Sequence, residues 1–338
     1  MKKSWRIWLG VVITLVFLGI AFRGQDFNAI RQALRDFNYI YLIPALALLF
    51  TGIWFRAVRW RILLKPVGEI SSRDVFPIVI IGFMANNILP LRAGELARTY
   101  ALSSKTGAKK SATLATIAIE RLFDGITMLS FILISATVIS LTSNLRHLAI
   151  IAFIIFTCGI LFLVLLTLSG NWRDRILQIV LGPLPEVMAD RIEHMAESFL
   201  VGLGVLRRRR DLALVAAYSV IAWSFEASTY WMIAKGFGDP LAAALTPAAA
   251  LLTTGVANLA TLIPSSPGYV GPFETGVKWV VEGALGVSGS LALSYAILVH
   301  ATLFFPVTVL GLFVLWRERI SLGQLREAEE QMEVSEVA

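Results

Sequence analysis

The sequence predicts an all-α polytopic membrane protein with about six full spans and two broken re-entrant hairpins, about eight to ten membrane helices in all. Three observations predict this fold class. Hydrophobic residues make up 57% of the 338 residues and charged residues only 16%, whereas a soluble globular protein carries roughly 25% charged residues. Apolar runs long enough to cross a bilayer recur along the chain, and basic residues are grouped between them.

Six segments are long and apolar enough, or nearly so, to cross the hydrocarbon core, which takes roughly 20 residues of helix. They are Trp5–Phe22, Tyr39–Val58, Ala112–Leu141, Leu148–Leu168, Leu212–Ala234 and Leu291–Trp316. The first segment has the basic start of a cleavable signal, but it meets "RGQD" directly and no small-residue cleavage site follows. We therefore predict that it remains as the first span.

The segment Val75–Leu89 is too short to cross alone, because at 1.5 Å per residue it covers only about 22 Å before Pro90 breaks the helix. Basic clusters flank it on both sides: Arg56, Arg59, Arg61, Lys65 and Arg73 before it, and Lys105, Lys109 and Lys110 after it. The positive-inside rule favours a cytoplasmic position for both clusters and for the basic N-terminus. A hairpin that enters and returns satisfies that rule, whereas a single crossing does not.

A second hairpin is predicted near the C-terminus. The segment Leu241–Ile263 is long enough to cross, but "IPSSPGYVGPFETG" follows it, with three prolines and three glycines. Entry and return here keep the last basic residues cytoplasmic; two complete helical pairs instead of hairpins would give about ten spans with the same parity. Broken backbone at membrane depth is tolerated only where it is buried in protein or lines a wet cavity. Two such breaks therefore predict a cavity.

The two hairpins occupy corresponding places in the chain and indicate an internal duplication. Each half contains a span, an amphipathic stretch, a span, a broken hairpin and a span, and "ANNILP" is similar to "ANLATLIP". Because three full spans per half is an odd number, the second copy should be inverted; coincidence among Leu- and Ala-rich segments is the alternative. We predict an integral membrane domain at residues 1–320, with repeats at about 1–143 and 144–320, and an acidic, disordered cytoplasmic tail at 321–338.

Ionisable residues at membrane depth are costly and usually face a protein interior or an aqueous path. The candidate substrate-binding residues are Asn86, Asn87, Arg92, Glu95, Arg98, Glu120, Arg121, Asp124 and Glu274. Two of the arginines, Arg92 and Arg98, can pair with carboxylates of "ERLFD", and any guanidinium charge left over would suit a phosphate. The asparagine amides can bond headgroup oxygens or backbone carbonyls that Pro90 leaves free. A network that only holds the hairpin together is the alternative.

Several classes of site are not expected. The single cysteine, Cys158, excludes an intramolecular disulfide, and the three histidines (His147, His194 and His300) lie too far apart in sequence for metal-ligand spacing. The net charge of +7 is clumped, which fits anionic lipid headgroups and not nucleic acid. No GxxxxGK[ST] motif occurs, so ATP drive within this chain is not expected. We expect no cofactor, no metal and no catalytic residue.

Three motifs resemble the flippase-like integral membrane family, which comprises the transmembrane domain of lysylphosphatidylglycerol synthetase/flippase and its stand-alone relatives. They are "LPLRAGELAR" at 89–98, "ERLFD" at 120–124 and "PSSPGYVGPFE" at 264–274, and the resemblance covers essentially the whole chain. It implies that the charged candidate residues handle lipid. About 20 residues follow the last predicted span, too few for a folded domain, so the aminoacyl-transferase activity of the bifunctional members is not expected.

Taken together, the residues and the resemblance predict a flippase- or scramblase-like transporter in the cytoplasmic membrane, with both termini in the cytoplasm. Its cargo is expected to be a phospholipid or polyisoprenyl-phosphate-linked lipid with an anionic or zwitterionic headgroup. A membrane-embedded transferase, or a partner subunit in lipid or glycolipid synthesis, is the alternative. A homo-oligomer and a soluble synthase partner both remain open.

Overall fold

The computed structural model describes residues 2–89, 93–140, 150–151, 153–162, 197–318 and 321–324. Within these ranges the regular secondary structure is helical, as predicted. The helices are α1 (Lys2–Phe22), α2 (Phe27–Asp36), α3 (Leu42–Leu63), α4 (Ser72–Ile88), α5 (Gly94–Thr106), α6 (Lys110–Ser135), α7 (Phe153–Phe162), α8 (Arg209–Phe237), α9 (Leu241–Ala244), α10 (Pro247–Ala260), α11 (Pro272–Lys278) and α12 (Gly289–Glu318). Most of the predicted tail at 321–338 lies outside the described residues.

Three of the described helical segments are long and apolar enough to cross a membrane: Tyr39–Leu63, Arg209–Phe237 and Gly289–Glu318. A fourth is reached if α1 and α2, which bend by 85° at their junction, count as one broken span. The predicted third span corresponds to α6, whose 26 residues include the charged "ERLFD" motif. Only part of the predicted span Leu148–Leu168 is described, so the total of six stays a prediction.

The second predicted span was expected to end at Val58, with the basic residues after it in a cytoplasmic loop. That boundary is wrong, because α3 continues to Leu63. Two members of the predicted cytoplasmic basic cluster, Arg56 and Arg59, lie on this helix with their side chains in the protein interior. Arg59 is fully buried and Arg56 is 8% exposed, whereas Arg61 on the other side of the helix is exposed. The physical reason is that carboxylates on α6 and α8 meet both buried guanidinium groups.

Where the first hairpin was predicted, the structure has two short helices, α4 and α5, on either side of residues 90–92. That this pair is re-entrant stays a prediction. Residues 90–92 themselves lie outside the described part. The two arms approach closely, because the Gly94 N–H donates to Asn86 Oδ1 at 2.8 Å and a Cβ at Gly94 would overlap the Gly82 carbonyl oxygen. Helix α5 ends at Gly107, which adopts φ +72° as a left-handed C-cap.

The second predicted break is also present, although the segment before it is not one continuous helix. Where a single stretch was expected at Leu241–Ile263, α9 ends early and α10 begins at Pro247, with Thr246 as its N-cap. Proline suits this first helical position because its missing N–H needs no partner there. The turn between α10 and α11 contains Gly268 (φ +78°) and Gly271 (φ +98°), and a Cβ at Gly268 would lie only 2.7 Å from the Phe304 ring.

Helix α1 braces this second turn. Thr14 Oγ1 donates to the Val270 carbonyl at 3.1 Å and accepts from the Ser266 N–H at 3.0 Å. Lys278, at the end of α11, donates to the Ala21 carbonyl at 2.9 Å. The broken backbone of the second hairpin is therefore held against α1 by hydrogen bonds, as burial of irregular polar backbone requires.

Helices from the first half of the chain pack against helices from the second half. Helix α3 packs along α8; α4 of the first hairpin packs on α12, and α10 of the second hairpin packs on α6. The two largest buried apolar clusters are each centred on one hairpin, one on α3–α6 and the other on α8 and α10–α12. Both hairpins therefore reach the same central space, between α3, α6, α8 and α12.

Candidate functional site

A cavity of about 250 Å³ lies where the two hairpins meet α3, α6, α8 and α12. Five of the nine predicted site residues line it: Asn86, Asn87, Glu95, Arg121 and Asp124. Its wall also contains apolar side chains, among them Leu49, Ile53, Phe83, Leu259 and Phe304. The predicted cavity is thus present among the described residues, with a wall that combines charged groups and hydrocarbon.

Arg98 and Glu120 lie behind the cavity wall. Arg98 Nη1 and Nη2 donate to the two carboxylate oxygens of Glu120 at 3.0 and 2.9 Å, and both side chains are buried. The Arg98 guanidinium also lies 4.0 Å from the centre of the Trp60 ring. The predicted pairing of Arg98 with the "ERLFD" motif is confirmed, and its position fits a group that holds α5 against α6. Arg92, predicted beside it, lies outside the described residues.

Arg59 on α3 connects this helix to α6 and α8 behind the cavity wall. Its Nη1 donates to Asp124 Oδ1 at 2.6 Å and to Ser219 Oγ at 2.8 Å, and its Nη2 lies 3.2 Å from Glu120 Oε1. Sequence reasoning missed this residue because it placed Arg59 in a basic loop. A usable signal was present: the apolar residues Ile62, Leu63 and Leu64 follow it, so the hydrophobic segment does not end at Val58.

Arg121 is the guanidinium most open to the cavity. Its side chain is 41% exposed, and its Nη2 donates to Glu95 Oε1 at 2.7 Å. Its Nη1 lies 3.5 Å from Asp124 Oδ2, while Asp124 Oδ1 accepts the indole N–H of Trp223 at 2.7 Å. The predicted residues on α6 therefore differ in burial. Glu120 is buried in the protein, whereas Arg121 faces the cavity that a ligand can enter.

A second ion pair forms another part of the wall. Arg56 pairs with Glu226, and the Arg56 guanidinium stacks 3.9 Å from the Trp223 ring centre. Asn258 donates to the second carboxylate oxygen of Glu226 at 3.0 Å. None of these four residues was predicted, because the partners of this pair are separated by 170 positions in the chain.

The third group on the wall combines Glu274, which was predicted, with His300, which was not. His300 Nδ1 lies 2.5 Å from Glu274 Oε1, and the Gly271 N–H donates to Glu274 Oε2 at 2.7 Å. The imidazole packs 4.5 Å from the Phe273 ring centre. His300 itself lines the cavity, whereas Glu274 stands directly behind it.

The two asparagines have structural partners. Asn86 Oδ1 accepts the Gly94 N–H, a contact that was not predicted. The predicted bonds of its amide, to headgroup oxygens or to carbonyls that Pro90 leaves free, stay a prediction. Asn87 Nδ2 donates to Thr308 Oγ1 at 2.9 Å and to the Phe304 carbonyl at 3.3 Å. Each asparagine therefore contacts the cavity and also fixes the first hairpin, to its own returning arm or to α12.

Charges at the site are closely matched. The charged side chains in and behind the cavity wall form a network of four guanidiniums and five carboxylates among the described residues. Each of these guanidiniums contacts at least one of these carboxylates. Glu274 differs from the other four carboxylates because it contacts an imidazole and not a guanidinium. The guanidiniums belong to Arg56, Arg59, Arg98 and Arg121, and the carboxylates to Glu95, Glu120, Asp124, Glu226 and Glu274. The surplus of guanidinium charge that would suit a phosphate alone is thus not found among these residues.

Comparison with known proteins gives a match over most of the chain. The family described as the lysylphosphatidylglycerol synthase TM region matches residues 7–311. A UPF0104 membrane protein of Methanothermobacter thermautotrophicus is 24% identical over 325 residues, which cover 92% of this chain and 94% of that protein. The glycosyltransferase AglD of Haloferax volcanii is 22% identical over 329 residues, which are 89% of this chain but only 52% of that protein.

Proposed function

Because the chain belongs to the lysylphosphatidylglycerol synthase transmembrane-region family, we propose that this integral membrane protein moves a phospholipid between the two leaflets of the cytoplasmic membrane. The observation that carries the proposal is the cavity at the meeting point of the two broken hairpins, with exposed charge on a largely apolar wall. Ionisable groups at membrane depth mark substrate paths more often than they serve packing alone. A headgroup can enter such a space while its acyl chains remain in the bilayer.

The matched charges favour a headgroup that carries both signs. A purely anionic headgroup has to displace a carboxylate from its guanidinium and leave that carboxylate unpaired, which is costly in a low-dielectric site. A zwitterionic headgroup avoids this cost, because its phosphate can accept two hydrogen bonds from the Arg121 guanidinium while its ammonium pairs with the Glu95 carboxylate. Since Arg121 and Glu95 are 41% and 21% exposed, they are the pair that a headgroup reaches first.

The movement that we propose is an opposed displacement of two inverted repeats, residues about 1–143 and 144–320, with both termini in the cytoplasm. The reciprocal packing supports it: α3 pairs with its counterpart α8, and each hairpin packs on the last long helix of the other half. A rocking motion about such a pseudo-twofold relationship exposes a central site to each side in turn. The candidate headgroup residues lie on both hairpins and on the long helices beside them.

The experiment uses purified protein in sealed liposomes that contain a trace of phosphatidylethanolamine labelled on a short acyl chain, so that the headgroup stays zwitterionic. Dithionite quenches the outer-leaflet label, and the subsequent loss of signal reports exchange. We expect faster exchange than in protein-free vesicles, slower exchange with Arg121→Gln, and wild-type exchange with Arg61→Gln, which removes an exposed arginine away from the cavity. Rates equal to those of protein-free vesicles would reject the proposal.

A second candidate function, a membrane-embedded transferase or its partner subunit, rests on the similarity to a protein named as a glycosyltransferase. The chain matches about half of that protein, so the similarity does not say which part holds its activity. The same liposomes separate the two functions. Chemical conversion of a lipid in the presence of sugar donors, without leaflet exchange, would establish the enzyme in place of the transporter.

A further inference from the structure

The pair formed by Glu274 and His300 occupies the same place in the second half of the chain as Glu95 and Arg121 do in the first. Glu95 and Glu274 each lie in the first turn of the returning hairpin arm, α5 or α11. Arg121 and His300 lie at equal distances from the first residues of α6 and α12. In both halves the carboxylate of the returning arm contacts a nitrogen of the following helix, at 2.7 and 2.5 Å.

The two pairs differ in one chemical property. A guanidinium stays protonated at any physiological pH. An imidazole, unlike a guanidinium, can exist in a neutral and a protonated form under physiological conditions. The returning arm of the first hairpin thus contacts a permanent cation, Arg121. The returning arm of the second hairpin contacts His300, a side chain that can be neutral or protonated.

On the premise of the proposed lipid transport, we propose that the Glu274–His300 pair is a proton-binding site that couples headgroup passage to proton movement. In the unloaded state, Nδ1–H of the neutral imidazole donates to the Glu274 carboxylate. A proton from cavity water then binds Nε2 of His300 and gives an imidazolium–carboxylate ion pair. Release of the proton returns it to water and restores the neutral ring.

Access to the second ring nitrogen supports this site. His300 lines the cavity, and its side chain is 12% exposed. Nδ1 contacts Glu274, while Nε2 has no hydrogen-bond partner in the part of the chain that the structure describes. Water in the cavity therefore has a route to the ring, and the carboxylate fixes the ring orientation through the other nitrogen.

Protonation changes how firmly α11 is held to α12. The carboxylate makes this hydrogen bond charge-assisted even in the unloaded state. Protonation adds the attraction of a full positive charge on the ring, so the loaded pair holds the hairpin arm more tightly. The adjoining segments have features that permit a shift: a π-helical turn at Trp279–Ala284 follows α11, and Pro306 interrupts the hydrogen bonds of α12 after His300. Acidic conditions should favour the state in which α11 is held against α12, and loss of the proton should favour separation of the two helices.

The surrounding ionisable groups leave His300 as the group suited to this role. Those that share its cavity are Arg56 on α3, Glu95 on α5, Arg121 and Asp124 on α6, Glu226 on α8 and Tyr269 in the turn before α11. Helix α4 presents the amides Asn86 and Asn87 to the cavity, and Lys278 on α11 is directed to Ala21 and Glu282. The arginines and carboxylates in this set pair with each other, so the His300 imidazole is the group that can take up a proton without giving up a guanidinium–carboxylate pair.

The test imposes a pH difference of one unit across the liposomes described above and measures the final leaflet ratio of labelled phosphatidylethanolamine. Coupling of one proton to one lipid allows about a tenfold ratio per pH unit, since tenfold corresponds to about 1.4 kcal/mol. We expect wild-type protein to drive the ratio toward that value. His300→Gln should end at equal leaflets, and His194→Gln, which removes a histidine far away in sequence, should behave as wild type.

The final ratio decides between outcomes even when a variant is slow, because it does not depend on rate. Wild-type protein that exchanges lipid but leaves the leaflets equal under the gradient would overturn the proton site and leave lipid transport standing. A His300→Gln protein that still accumulates lipid in one leaflet would also overturn it. No exchange with or without the gradient would reject transport and coupling together.

Discussion

Arg59 lies fully buried behind the cavity wall, with its Nη1 2.6 Å from Oδ1 of the lining residue Asp124. The pair joins α3 to α6, two helices that the chain separates by a complete hairpin. A guanidinium without exposed surface has to be matched by negative charge, and here the carboxylates of Asp124 and Glu120 provide it. The buried pair of Arg59 is therefore a structural element, distinct from the exposed charges on the cavity wall.

Removal of Arg59 should destabilise the protein strongly. Loss of one partner from a buried pair leaves the other charge uncompensated, at a cost of up to about 3–5 kcal/mol. We expect Arg59→Met to lower the melting temperature in detergent by several degrees, and Arg61→Met, at an exposed position on the same helix, to leave it nearly unchanged. Equal melting temperatures for the two variants would show that the buried pair does not support the fold.

Arg98 should matter for stability and not for headgroup binding. Its guanidinium is committed to both oxygens of Glu120 and to the Trp60 ring, away from the cavity. Arg98→Lys keeps the charge but loses the two-pronged bond, so we expect a lower melting temperature with an unchanged exchange rate per folded molecule. A stable variant with slow exchange would instead assign Arg98 to the lipid path.

Arg121 should show the opposite behaviour. Its side chain is 41% exposed, so Arg121→Lys costs little stability, while the loss of the planar fork weakens phosphate binding. We predict a melting temperature close to that of wild type and clearly slower exchange of phosphatidylethanolamine in liposomes. Arg61→Lys serves as the control. Exchange at the wild-type rate in Arg121→Lys would remove Arg121 from the headgroup site.

The closeness of the hairpin arms predicts an effect of a single methyl group. A Cβ at Gly94 would overlap the Gly82 carbonyl oxygen and lie 2.5 Å from Asn86 Oδ1, so Gly94→Ala should force the arms apart. Overpacking of this kind costs about 1–3 kcal/mol. Gly68→Ala, with no atom within 4 Å of its Cβ, is the matched control. A Gly94→Ala protein as stable as Gly68→Ala would contradict the described contact.

The contacts of Lys105 predict which helix ends lie on the same side of the membrane. Its Nζ lies 3.0 Å from Asp74 Oδ1 and 2.9 Å from Glu318 Oε2, so the start of α4, the end of α5 and the end of α12 meet. Single-cysteine variants at Lys105 and Glu318, with Cys158 replaced by Ala, should therefore react with an impermeant maleimide from the same side of the membrane. Labelling from opposite sides would contradict the contact between Lys105 and Glu318.

Local signals in the sequence were sufficient to predict the hairpins. Pro90, and the clustered prolines and glycines of the turn near Gly268, favour a break in a helix through local chemistry, so both breaks could be predicted without knowledge of the rest of the fold. The pairing of Arg98 with Glu120 was predictable for a similar reason, because the two motifs are close in the chain. Arg59 was missed because its partners Asp124 and Ser219 belong to helices that lie far away in sequence. His300 was missed although Glu274 is only 26 positions away, because the histidines were considered only as metal ligands.

The most direct test of the central claim, that a lipid headgroup passes through this cavity, is to fill the cavity. Leu259 lines it, and Leu259→Trp adds bulk there; Val309→Trp adds the same ring on α12 at a position that is 65% exposed. We predict that Leu259→Trp slows phosphatidylethanolamine exchange at least about tenfold, equivalent to a barrier higher by about 1.4 kcal/mol, while both variants fold. Equal exchange rates for Leu259→Trp, Val309→Trp and wild-type protein would contradict the claim.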